Sequence, residues 1–419
     1  MTASNTAQSR GRMLLTVVVS LAVPACSQQQ PNQTSQPQPD STVQGESEPQ
    51  PAALPNDAEN QLQPGAIVEG DVGNALDMHL RKGEQGGFSG VALVAVRGEI
   101  VLSKGYGLAD RERRSPYTQH TVNCIGSVTK QFTAAAILKL EEEGRLSTES
   151  TLGEFFPEVT DDKRNITLHQ LLTHSSGLRS TVGGDYDKFT NEGFLHRVFS
   201  LPLVMRRGVA AFRYSNVGYS LLGFVVERVS GMSYEAFLAD RFFNPLGMTQ
   251  TGYVLPTWPN GGVAIGYKES GEPWGSPLEK PWAEDGPYWG LKANGGILST
   301  VGDMYRWITA LRNGEVLSEA SMNKLWTGYV VDAPDVTPSP KYAYGWRIIT
   351  TKYGNRLISH NGSNDIFFAS VRVFPDDDVV LVLASNTVGQ ETWRYEQPGL
   401  WRILFESDVS PATVSRATN

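Results

Sequence analysis

Residues 90–107 read GVALVAVRGEIVLSKGYG, and this stretch decides the fold class. Two β-rich runs, Gly90–Val96 and Glu99–Gly105, flank Arg97-Gly98, a tight-turn signal, so a β-hairpin is expected here. Upstream, a helical segment around Val72–Lys82 leads into it. Downstream, the chain from Ser127 to Leu325 is largely helical by pattern. Helices are expected over Thr129–Glu143, Leu168–Leu172 and Tyr219–Val229, with further ones at Ser233–Phe243 and Val301–Leu311. Gly144 and Gly231 follow two of these apolar runs as C-cap signals. Strands return at Tyr344–Thr351, Arg356–His360, Phe367–Phe374 and Val379–Ala384, and a helix over Gly399–Glu406 closes the pattern. An early hairpin, a helical middle and a late strand meander predict an α+β fold. Its single antiparallel sheet is built from both chain ends, with helices on its faces and a mainly helical lobe inserted.

The 419 residues suffice for a core that needs no covalent staples. A net charge of −8 with both signs interspersed leaves no basic stripe, so no nucleic-acid partner is expected. Two cysteines exclude a disulfide scaffold and a four-cysteine zinc site. The six histidines show no ligand spacing, and neither a metal nor a cofactor is implied. His174, within Thr173-His174-Ser175-Ser176-Gly177, reads as packing and turn structure. A Gly-x-Ser-x-Gly elbow is absent, which removes an α/β-hydrolase.

Residues 1–26 carry Arg10 and Arg12 ahead of an apolar run, Met13–Val23, of signal-peptide length. The run ends in Val23-Pro24-Ala25-Cys26, which resembles a bacterial lipobox whose cysteine is lipidated; ordinary secretory cleavage near Ala25 is the alternative. Both take the protein out of the cytoplasm. Residues 27–65 are rich in Gln, Pro and Ser, and no Lys or Arg occurs between Arg12 and Arg81. Such a stretch buries too little apolar surface to offset its ordering entropy and is expected to be a disordered tether. Ser27 after Cys26 lacks a retention aspartate, which favours the periplasmic side of the outer membrane.

Three short motifs carry chemistry. Ser127-Val128-Thr129-Lys130 opens an apolar helix, where residues three apart share a face and the helix N-terminus adds positive potential. A serine becomes nucleophilic when a neighbouring base takes its proton, and a buried lysine with a lowered pKa can be that base. Tyr214-Ser215-Asn216 offers a phenol able to relay protons if a nearby ammonium lowers its pKa, and an amide with both a donor and an acceptor. His360-Asn361-Gly362-Ser363 ends a late strand. There Gly362 permits close approach to the backbone, and the Ser363 N–H can face an oxyanion.

In this order the motifs resemble the serine β-lactamase and penicillin-binding-protein superfamily, in its branch of class C β-lactamases, DD-peptidases and family VIII carboxylesterases. Similar stretches at Leu171–Leu178, Pro245–Met248, Ala293–Thr300 and Tyr344–Trp346 carry the likeness from about Ala75 to Phe405. The resemblance implies that Ser127 is acylated and that Lys130 accepts or tunes its proton. It makes Tyr214 the proton shuttle, and Asn216 the group orienting Lys130 and the substrate. His360 takes the place of a third-motif lysine, and the N–H groups of Ser127 and Ser363 form an oxyanion hole. Two positions depart from the pattern. Asn361 stands where carboxylate-binding relatives often have threonine, and Ile366 where glycine is frequent. His360 and Asn361 favour esterase or peptidase chemistry over rapid β-lactam turnover, and the branched Ile366 would narrow the cleft or alter the strand start.

The expected organisation is a leader (1–26), a tether (27–65), a serine hydrolase domain (66–408) and a flexible tail (409–419). Its substrate would be an ester, an amide, or a D-amino-acid bond of a peptidoglycan-derived molecule, and its membrane contact a lipid at Cys26. The alternative is a catalytically silent lipoprotein that binds cell-wall fragments in the same cleft.

Several look-alikes have simpler readings. Ser321-Met322-Asn323-Lys324 repeats Ser-x-x-Lys in polar sequence between helices, and Tyr353-Gly354-Asn355 fits a hairpin turn. Cys124 reads as a buried thiol. Trp258, Trp274, Trp282 and Trp289 either pack a long insertion or form an aromatic wall over the cleft.

Overall fold

The turn at Arg97-Gly98 has positive φ at both residues, 54° and 81°, as a two-residue hairpin requires. It sits inside a large sheet in the computed structural model, which describes residues 64–204, 211–258, 261–388 and 399–407. These residues belong to the unit Leu62–Asn419; the leader, Cys26 and most of the tether fall in Met1–Gln61, outside the described residues, and the tail 409–419 also lies outside the described residues. Gln119 Nε2 donates to Pro64 O at 3.1 Å and ties the turn there to the body.

The sheet strands are β1 (Ile67–Val68), β2 (Gly90–Val96), β3 (Glu99–Tyr106), β4 (Val330–Val331), β5 (Lys341–Tyr342), β6 (Arg347–Thr350), β7 (Arg356–Ser363), β8 (Phe368–Phe374) and β9 (Val379–Ser385). Among the described residues they lie in the order β1-β3-β2-β9-β8-β7-β6-β5-β4, each pair antiparallel. The two chain ends meet where β2 pairs with β9, with Val94 opposite Leu381. The α+β sheet expected from the sequence is therefore the one observed.

The helices used below are α1 (Gly70–Gln85), α2 (Lys130–Glu142), α3 (Leu168–Leu172), α4 (Asn191–Ser200), α5 (Asn216–Ser230), α6 (Val301–Arg312), α7 (Glu319–Leu325) and α8 (Trp401–Phe405). Both sheet faces are covered, and β9 shows how. Val379, Leu381 and Leu383 join a cluster with Leu76 and Leu80 of α1 and Leu404 of α8. Val380, Val382 and Ala384 join the larger core shared with α2, α5 and α6. Strands buried on two sides read as continuous apolar runs, which made them legible.

Helix α1 is also tied to the sheet by charge. Asp77 receives Lys104 Nζ at 2.7 Å, the Tyr106 hydroxyl at 2.9 Å and Arg81 Nε at 2.9 Å. Burial alone would raise the Asp77 pKa, but these hydrogen bonds and the Lys104 charge outweigh it and hold the carboxyl below its ordinary value.

Two expected boundaries move for local reasons. The strand expected from Tyr344 begins only at Arg347, because Gly345 turns the chain at φ 75° and Ala343 N bonds Trp346 O at 2.7 Å. The helix expected from Thr129 is preceded by a tighter 3₁₀ turn, Gly126–Thr129, that contains Ser127.

Candidate active site

The 3₁₀ turn explains the geometry of the first motif. With three residues per turn, positions i and i+3 eclipse, so the Lys130 side chain stands over Ser127. From Thr121 to Leu138 every residue is buried except Ser127. Ser127 is therefore the one half-buried residue in an otherwise buried stretch.

Lys130 is fully buried, and its Nζ lies 3.0 Å from Ser127 Oγ, 2.9 Å from Asn216 Oδ1 and 2.6 Å from Asn294 O. Burial holds the amine well below the usual lysine range, against a smaller pull upward from the charge of Asp185. An uncharged amine has two N–H groups and one lone pair. Asn216 Oδ1 and Asn294 O are acceptors only, so they take the two N–H groups and leave the lone pair for the serine hydroxyl.

Tyr214 adjoins the same hydroxyl. Burial pushes its phenol up to about 12, although a hydrogen bond with Ser127 and the charge of Arg347 act to lower it. The sequence suggested an ammonium that would lower this pKa. The lysine nitrogen instead lies 4.8 Å from the Tyr214 ring centroid, over its face, and the phenol keeps its proton at neutral pH.

The second and third motifs enter from α5 and β7. Ser215 caps α5: its hydroxyl accepts Gly218 N at 3.1 Å and donates to Arg179 O at 2.7 Å, which fixes Asn216 at the first helical position. On β7, Gly362 runs against the nucleophile turn. A Cβ there would collide with Ile125 O and lie 2.8 Å from Ser127 N, and one on Gly126 would lie 2.8 Å from Ser363 N. The Ser127 and Ser363 segments are thus in direct contact, the arrangement that two convergent N–H donors require.

His360 contributes no charge to the cleft. It is 5% exposed, and burial above all, with the Arg347 charge, holds it well below the usual histidine range. Nδ1 lies 2.7 Å from Asn361 O and so carries the proton, leaving Nε2 to accept from the Tyr342 hydroxyl at 2.9 Å. Both ring nitrogens are used internally. Buried in this way, the ring that takes the place of a third-motif lysine adds no positive charge to the site.

Sequence reasoning missed Asn294, since its role is played by a main-chain carbonyl. Ala293 has φ 67°, Asn294 Nδ2 donates to Ser220 Oγ at 2.9 Å, and Tyr253 donates to Gly295 O at 2.7 Å, which together aim that carbonyl at Lys130. Only the run Ala293–Thr300, quoted for its likeness to relatives, pointed there.

The look-alikes separate in space. Ser321 and Lys324 lie on α7, a short helix the sequence did not suggest, where Lys324 pairs with Glu141 at 2.8 Å. Tyr353–Asn355 forms the turn between β6 and β7, closed by Gly354 N to Thr351 O at 3.0 Å. Cys124 is buried, and burial pushes its thiol up to about 11, so it is not a competing nucleophile. Three of the four tryptophans pack in different surroundings rather than as one wall. Trp289 is core, stacked on Phe224 with centroids 3.6 Å apart, Trp282 packs on Tyr253, and Trp274 adjoins Tyr186 and Phe367.

Comparison with known proteins gives a consistent result. The profile of the family described as Beta-lactamase matches residues 72–402. PbpX of Bacillus subtilis (strain 168) is 32% identical over 269 residues, covering 64% of this chain and 64% of PbpX, so the match spans under two thirds of that relative. Among solved structures, the octameric penicillin-binding protein homologue from Pyrococcus abyssi has a TM-score of 0.68 at 26% identity, covering 82% of this chain and 78% of that one. The D-amino acid amidase from Ochrobactrum anthropi SV3 has a TM-score of 0.66 at 23% identity, covering 84% and 100%; at that identity the likeness shows the fold alone.

Proposed function

The chain belongs to the Beta-lactamase family, whose members are serine hydrolases, and from that premise we propose an acyl-enzyme mechanism on Ser127. The observation that carries the reading is the contact of 3.0 Å between Ser127 Oγ and the buried Lys130, whose amine burial holds well below the usual lysine range. Lys130 takes the hydroxyl proton as Oγ bonds to the substrate carbonyl carbon, and the Ser127 and Ser363 N–H groups hold the resulting oxyanion. When the tetrahedral adduct collapses, the bond to the leaving group breaks. The leaving group takes a proton from Tyr214, which is replenished from the Lys130 ammonium. Water then attacks the acyl group, gives its proton back through the same pair, and frees Ser127.

The substrate class is an ester, an amide or a D-amino-acid peptide bond, with β-lactams as weak substrates. An uncharged His360 and Asn361 supply no cation for a substrate carboxylate, which supports this preference. The name of one relative at 26% identity, a penicillin-binding protein homologue, supports an acyl-enzyme on a substrate of this kind. The sequence before the body supports an exported enzyme of the bacterial envelope, held by a lipid at Cys26 on the tether 27–65, on the periplasmic side of the outer membrane.

The test is turnover of a p-nitrophenyl ester and of a D-amino-acid p-nitroanilide by the wild type and by Ser127→Ala. The variant should lose at least about 10³-fold in kcat for any substrate the wild type turns over. Equal rates, or no turnover by the wild type, would count against the proposal.

A further inference from the structure

Behind the reacting groups lies a buried ring cluster to which the mechanism above gives no task. At its centre is His174, fully buried and two residues past the end of α3, with φ 57°. Its main-chain carbonyl accepts Arg213 N at 2.8 Å, and its ring Nδ1 accepts Ser215 N at 3.1 Å. One residue therefore grips the backbone on both sides of Tyr214. The imidazole also faces the Tyr214 ring with centroids 4.3 Å apart, and Tyr342 and Tyr219 enclose it at 4.6 and 5.1 Å.

The remaining nitrogen, Nε2, is buried and has no hydrogen-bond partner among the described residues. A leucine would fill this space with no unpaired nitrogen of its own, so packing gives no reason for an imidazole. The acceptor at Nδ1 gives one. Without it the Ser215 N–H would be buried and unpaired at the residue that caps α5 and joins Tyr214 to Asn216. Burial, with the Arg347 charge, holds His174 well below the usual histidine range and keeps that acceptor free of a proton.

The geometry points to His174 as a positioning residue that holds the Tyr214 phenol and the Asn216 amide in register with Lys130 by accepting the Ser215 N–H. This rests on the acyl-enzyme reading given above. The side chain touches no reacting atom and acts through the segment it grips.

The test compares His174→Asn with His174→Gln. The Asn amide oxygen stands as many bonds from Cα as Nδ1 does, and Asn tolerates positive φ; the Gln oxygen stands one bond further out. Active sites are counted by fluorophosphonate titration, and acylation is then measured per titrated site. His174→Gln should acylate about 10- to 100-fold more slowly with a much smaller change in KM, and His174→Asn should recover to within about threefold of wild type. Equal rates in the two variants, or a wild-type rate in His174→Gln, would overturn the assignment. A second measurement needs no variant: the imidazole ¹⁵N spectrum of the wild type should show His174 with its proton on Nε2, and a proton on Nδ1 would overturn it. A wild type that no reagent acylates would count against the acyl-enzyme reading itself.

Discussion

At Tyr214, burial and a hydrogen bond pull in opposite directions, and burial wins, leaving the phenol protonated at neutral pH with a pKa near 12. At Lys130 the same burial has the opposite chemical result, since removing water disfavours the ammonium. One desolvated pocket thus yields a base and an acid on either side of one hydroxyl. If Tyr214 supplies the leaving-group proton, its importance must depend on what leaves. Tyr214→Phe should slow hydrolysis of a D-amino-acid amide by about 10²-fold or more, as for a lost general acid. A p-nitrophenyl ester, whose leaving group departs without a proton, should be affected much less. Comparing kcat on the two substrates checks this, and an equal loss on both would place Tyr214 elsewhere in the mechanism.

At the scale of elements, the site is assembled where a 3₁₀ turn, a helix start and a strand end meet without side chains between them. Gly362 makes that contact possible, so Gly362→Ala should push β7 away from Ser127 and destabilise the protein by about 1–3 kcal/mol. Acylation per folded molecule should fall at least tenfold, measured by denaturation and fluorophosphonate labelling in parallel. How much of this was legible depends on what each element shows in its side chains. The β2–β3 hairpin and the strands β8 and β9 were, because their apolar runs have the right length and their turns use Gly. The three motifs were, since each places reactive side chains in a short window. The 3₁₀ turn was not, because a three-residue repeat over four residues leaves no periodic mark. Helices α4 and α7 were also missed, being short and largely polar. The Asn294 carbonyl was invisible because any residue carries one.

For the molecule as a whole, the early hairpin must find a strand more than 280 residues later, and β2–β9 pairing locks the two ends together. Helix α1 seals the outer face of that seam, and the Asp77 cluster fixes it there. Because the Asp77 pKa is lower in the folded chain than in the unfolded one, its contribution is complete above the unfolded value and is lost as the pH falls through the folded value. Asp77→Asn should cost about 3 kcal/mol at neutral pH, as for a broken buried ion pair. The gap to wild type should close as the pH drops below about 4. Urea denaturation at several pH values measures it; a gap that persists in acid would mean that the charge is not what holds α1.

The central claim is that Ser127 is the nucleophile, and the direct measurement is the mass of the protein after reaction with a fluorophosphonate or a penicillin, followed by peptide mapping. A single adduct on the peptide containing Ser127, absent from Ser127→Ala, is the predicted result. An adduct on another residue, or one that persists in Ser127→Ala, would contradict the account.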